Sequence, residues 1–230
     1  MEPPLHIGTM NRSGRRLQRF CEMLKLFKKS IDGRKDRRAE FLLYCCLELP
    51  AGYRQVADPN DVARAVLAAS TWSVLALTCH IELFVQSHYV ESIAPRDELC
   101  PVFRDVFKYH WKDESQHVVL DEFEWKDEHA RLSPTQRDLA VDDLISLVAA
   151  VDGILQAQSA ADAEYFVRNA SRQYSDVEVA DIKTVVLGAY RWQYIITGVR
   201  HPHFVKLLTS MTTSAQFARI QAALAPVLAA

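Results

Sequence analysis

Apolar residues recur three and four apart along most of this chain, and runs that alternate residue by residue are few, so the pattern predicts helices. The strongest run is "ADPNDVARAVLAASTWSVLALTCHIELFVQSHYVESIAP", residues 57–95. Asp58 or Asn60 can cap its start and Pro95 lies beyond its end, so one long helix is expected. From Val62 to Val90 it is apolar nearly all round, which predicts a central buried helix. Against that background the carboxylate of Glu82 stands out.

The next helix begins with Pro101 in its first turn and runs to about Arg131. "SPTQ" at 133–136 is a capping box with proline at the first helical position, launching a helix to about residue 170. "SDVE" at 175–178 is a second capping box and starts a helix through "VVLGAYRWQYIITGV". After the turn "RHPHF" at 200–204, a short helix and a terminal one over about 214–228 complete the pattern. Upstream, helices are expected over about 13–30, closing near Gly33, and about 38–48, stopping before Pro50 and Gly52. No repeat of solenoid length is present.

Composition agrees with this reading. Seven glycines and nine prolines in 230 residues leave little punctuation, which argues for an all-α protein. The chain is expected to form a single helical domain: divergent basic helices over 1–57, a helix pair over 58–131 and further helices over 133–230. The odd set Cys21, Cys45, Cys46, Cys79 and Cys100 has no CxxC spacing and fits a reducing cytoplasm better than a disulfide framework. The N-terminus lacks an apolar signal core, and no 18-residue uncharged run exists to span a membrane. Residues 1–38 carry eleven Lys/Arg against four Asp/Glu, and the remainder 16 against 25. A basic arm can bind nucleic acid, but Leu17, Phe20, Met23, Leu24 and Phe27 interrupt it at helical spacing, so a solvated helix face is the simpler reading and nucleic acid ranks last among partners.

The candidate chemistry lies in "KYHWKDESQHVVLDEFEW", residues 108–125. At ~100° per residue, His110, Glu114, His117 and Asp121 fall near 0°, 40°, −20° and 20°, one narrow stripe. Glu114-x-x-His117 is the ExxH arrangement by which bundle helices present a carboxylate and an imidazole to one metal centre. Such oxygen and nitrogen donors suit iron or manganese, with zinc also accommodated. A lone buried Glu82 on the preceding helix needs a positive partner, either a metal ion shared with this stripe or an Arg or Lys from the N-terminal helix.

"CHIELFVQSHY" followed by "YHWKDESQH" resembles the second half of the ferritin-like di-iron carboxylate fold. The histidine one turn before the ExxH glutamate looks like the p-aminobenzoate N-oxygenase branch. The resemblance implies a ferritin-like helical bundle with additional C-terminal helices and two iron ions held by carboxylates and histidines from four helices. It implies oxidation of an aryl amine by activated oxygen. Carried over, Glu82, His110, Glu114 and His117 would be metal ligands. Asp113 would orient a histidine across the centre from the surrounding shell, where Asp121 also belongs. The family has a second ExxH on an earlier helix, whereas this chain has one. "FCEMLK" offers Glu22 but puts Lys25 at the histidine position, and Glu40 and Glu48 are single carboxylates. Two expectations follow: an N-terminally shortened chain that lost the first ligand helices, or a site holding a single ion.

Other groups are expected to play no direct part. His80 falls ~200° and His88 ~240° from Glu82 on the helix, so neither is a ligand. "RHPHF" reads as a surface turn, Asp142 and Asp143 as solvated first-turn acids, and Asp152 as a buried group able to serve the outer shell. Tyr190, Trp192 and Tyr194 would pack the core, an interface or a substrate pocket. No P-loop, GxGxxG, GxSxG or HExxH occurs. The expected function is a non-haem iron oxygenase acting on a small organic substrate such as an amine, with dioxygen and an electron donor as partners, cytoplasmic and off the membrane. A homodimer fits the amount of apolar helix surface. The alternative is a degenerate or truncated, non-catalytic helical interaction protein.

Overall fold

The computed structural model describes residues 51–229, and the structure is all-α throughout them. The helices expected over 13–30 and 38–48, with Glu22, Glu40 and Glu48, lie outside the described residues. Helices α1 (Pro59–Ala68), α2 (Thr71–His88) and α3 (Pro101–Arg131) come first. They are followed by α4 (Pro134–Asn169), α5 (Asp176–Arg191), α6 (Thr197–Arg200), α7 (Pro202–Met211) and α8 (Ser214–Leu228). Wider π-helical turns extend α2 over Tyr89–Ile93 and join α5 to α6 over Trp192–Ile196.

Local chemistry places the helix starts. Ser133 with Gln136, Ser175 with Glu178 and Thr213 with Gln216 each form a reciprocal capping box. Asp58 accepts from the Asn60 amide at 2.7 Å and starts α1.

The single long helix expected over 58–94 is instead two. Ser70 adopts extended backbone at φ −63°, ψ 146° and becomes the start of α2. Its amide donates to Asp143 Oδ2 of α4 at 2.9 Å, and its hydroxyl lies 3.0 Å from that of Ser73. A side chain from another helix thus takes the amide that a continuous helix would have used internally. The same contact corrects the reading of Asp143. It and Asp142, which pairs with Arg219 at 3.1 Å, sit well inside α4 and serve tertiary contacts.

α2 is the axis of the fold. Trp72, Ala76, Cys79, His80, Leu83 and Phe84 are buried along it, and α3, α4, α6 and α7 all pack on it. Trp72 meets Trp125 of α3 edge-on at 5.2 Å, and Trp125 stacks on Phe204 of α7 at 5.9 Å. α3 behaves differently: of its 31 residues only Val118 and Trp125 are buried, and Val119, Leu120 and Phe123 are exposed.

On the face of α2 away from α3, His80 is enclosed by Phe84 and Phe204. Its Nε2 lies 3.0 Å from the Ile195 carbonyl, which can only accept, so Nε2 carries the proton. Burial holds the ring neutral, with its pKa pulled down to about 4. Gly198 of α6 makes this closeness possible, because a β-carbon there would fall 2.4 Å from His80 Nε2.

No helix of the described residues is long and apolar enough to cross a membrane. Gly198→Ala is expected to destabilise the protein by about 1–3 kcal/mol through overpacking, read by denaturant unfolding. Gly188→Ala is the control: its β-carbon meets nothing within 4 Å, so it should be neutral or stabilising by up to about 1 kcal/mol. Equal effects of the two would refute close packing as the reason for glycine at 198.

Candidate metal centre

Antiparallel packing of α2 on α3 brings Glu82 against the ExxH stripe. Glu82 and Glu114 are largely buried at the seam, and His117 is partly covered. Glu82, Glu114 and His117 each offer one donor atom, and these atoms lie within 4.8 Å of one another. Glu114 is the hub. Its Oε1 lies 2.9 Å from His110 Nδ1, and its Oε2 is bonded to His117 Nδ1. His117 Nδ1 also lies 3.9 Å from Glu82 Oε1.

The two carboxyls settle on different protonation states. Burial, then a hydrogen bond with Glu114 and the charges of Glu114, Asp121 and Asp113, pushes Glu82 up to about 8. Burial also acts to raise Glu114, but the bond from Glu82 and the neighbouring His110 and His117 outweigh it, so its pKa is lowered. The two carboxyls are thus driven apart: Glu82 is raised toward its protonated form and Glu114 is lowered toward its carboxylate.

Of the residues expected as ligands, Glu82, Glu114 and His117 converge. His110 is about half exposed, has its Nδ1 2.9 Å from Glu114 Oε1 and lies outside the three-donor cluster. Asp121 sits further along the seam, where it hydrogen-bonds Thr78, one turn before Glu82; burial raises its pKa. Asp113 is close enough for its charge to raise Glu82. His80 turns away as expected, and His88 ends α2 against Phe107.

Asp152 is buried as expected but does not belong to this site. Arg191 of α5 grips it with Nε and Nη2 at 2.7 and 2.8 Å, and Gln156 adds a bond at 2.7 Å. Its charge is thereby spent on joining α4 to α5. "RHPHF" is more than a turn: His201 caps α7, and His203 Nε2 meets Glu122 of α3 at 2.8 Å.

Sequence reading missed two neighbours. Thr78 and Gln86 flank Glu82 four residues away on either side, on the same face of α2. Gln86 Nε2 donates to the Trp111 carbonyl at 3.2 Å, and Ser115 Oγ lies 3.0 Å from Gln86 Oε1, clamping α2 to α3. Helical periodicity applied to Glu82 would have found both. Beyond Gln86 opens a cleft of about 580 Å³ bordered by Glu91, Trp111, Trp192 and Arg200. Of the aromatic trio, Trp192 therefore faces a cleft, while Tyr190 bonds to Asp162.

Two carboxylate oxygens and an imidazole nitrogen, with no Lys or Arg paired to them among the described residues, make a donor set that fits one divalent ion. No second cluster of this kind occurs among the described residues. The chain matches no protein-family model, and comparisons with curated proteins and with solved structures return no match.

Because Glu82 titrates near 8 when folded and near the ordinary 4.5 when unfolded, the folded state binds more protons between those values. Its contribution to stability is then complete at acid pH and is lost as pH rises through about 8. Chelator-treated protein is expected to show a falling Tm across this window, and Glu82→Gln, which cannot ionise, should flatten the fall. An unchanged slope in the variant would place the proton elsewhere.

Proposed function

We propose that this chain is a metal-dependent oxidoreductase of the non-haem iron oxygenase type, acting on a small organic substrate such as an amine. The observation that carries the reading is the convergence of Glu82, Glu114 and His117 at a half-buried seam, with no Lys or Arg among the described residues to balance them. Ionising both carboxyls in that setting is costly without positive charge, and a divalent cation would supply it.

Iron is favoured by the mixed oxygen and nitrogen donors, with manganese the alternative. Reduced iron, when bound, would supply the activation of dioxygen. The rest falls to the chain's own groups. Glu82 would give up its proton on metal binding, and Glu114 would exchange its bond to His117 for a shared cation. His110, held at 2.9 Å from Glu114, would fix that carboxylate's orientation. The cleft beyond Gln86, with Trp111 and Trp192 on its walls, would seat a flat organic substrate one helical turn from Glu82. An outside electron donor would complete the reaction.

A second reading has its own support. α3 exposes Val119, Leu120 and Phe123 on the side of the helix turned largely away from the acidic stripe, an apolar strip suited to contact with another helix. On that reading the chain is a non-catalytic interaction protein, or a homodimer formed through this face.

Iron content of protein purified from iron-supplemented cells, compared with Glu114→Ala and His117→Ala, separates these. The described ligands predict up to one iron per chain in the parent and a loss in both variants. A value approaching two would favour a full di-iron centre completed by residues beyond those described. Iron no higher than in the variants would sink the enzyme reading and leave the interaction reading standing.

A further inference from the structure

A second cavity lies on the opposite side of α2 from Glu82, between α2, α4, α7 and α8. Its volume is about 580 Å³, far more than the water-sized voids of an ordinary core and within the ~300–1,000 Å³ typical of small-molecule sites. Its walls are mostly apolar, with Leu144, Val148, Leu208 and Leu224 among them and Gln221 as an uncharged polar member.

The polar groups at its edge are few and unequal. Asp152 is already neutralised by Arg191 and Gln156. Arg200, exposed at the end of α6, has no carboxylate within ion-pairing distance among the described residues, so among them it is the cavity's unbalanced charge. The wall also holds His80, whose Nδ1 is buried with no hydrogen-bond partner. With the proton on Nε2, that Nδ1 can only accept, so it offers nothing to an anionic head group and leaves the rim as the place for one.

We infer that this cavity binds an amphipathic anion, an aliphatic carboxylate whose chain fills the space between α4 and α8 and whose head group pairs with Arg200. Apolar burial provides the affinity for the chain, and the planar guanidinium matches a carboxylate fork. The site is independent of the metal reading, because α2 separates its chain-binding walls from Glu82 and His117.

Arg200 also borders the Trp111–Trp192 cleft, so the test must distinguish the two spaces. Decanoate, titrated calorimetrically into the full chain below its micellar concentration, is expected to bind saturably. Ala149→Trp on α4 and Ala223→Trp on α8, both at cavity-lining positions, should each weaken it tenfold or more while the far-ultraviolet helix signal persists. Arg200→Gln should weaken it about tenfold, and decanol should bind correspondingly less well than decanoate. Val90→Trp, which crowds the cleft and not the cavity, should leave binding unchanged. No binding by the parent chain, or binding indifferent to both alanine substitutions, overturns the cavity as the site. Equal affinity for decanol overturns the anion, and loss in Val90→Trp alone moves the ligand to the cleft.

Discussion

Everything in the described fold answers to the need to enclose α2. A helix that is apolar almost all round cannot present a face to water, so it must be surrounded. α3, α4, α6 and α7 do this, and their own sequences only have to supply one apolar stripe each. Trp72 against Trp125, and Trp125 against Phe204, tie three of these helices into one core. The break at Ser70 belongs to the same constraint. By turning there and taking Asp143 as partner for its amide, the chain starts its buried helix where α4 begins to cover it.

Enclosing a helix on all sides gives its polar residues two different fates. Glu82 faces α3, whose stripe supplies Glu114 and His117, and burial with like charges nearby pushes its pKa up while the histidines help lower that of Glu114. His80, two residues away and on the other face, meets a backbone carbonyl and two aromatic rings and stays neutral. The same helix thus separates a charged, partly open seam from an aliphatic cavity, and a ligand in one does not need to enter the other.

α3 has an unusual balance. Thirty-one residues bury only Val118 and Trp125, while an acidic stripe and three exposed apolar side chains share its remaining surface. Solvent-exposed helices are normally covered with mixed charge and few large apolar groups. The metal proposal would account for the acidic stripe, and contact with a further helix would account for Val119, Leu120 and Phe123. The two uses are compatible, since helical periodicity puts them on different faces of α3.

Much was legible in the residues alone, where the controlling physics is local. Capping boxes at Ser133 and Ser175 are satisfied within four residues, so the starts of α4 and α5 stand where they were expected. The alignment of His110, Glu114 and His117, and the divergence of His80 from Glu82, follow from helical geometry that no packing can alter. What lay beyond local reach was decided by partners distant in the chain. Asp143 could interrupt a helix seventy-three residues away only once α4 was laid beside it. Arg191 claimed Asp152 across thirty-nine residues. Periodicity determines which side chains share a face, and only the packing of one helix on another decides what that face meets.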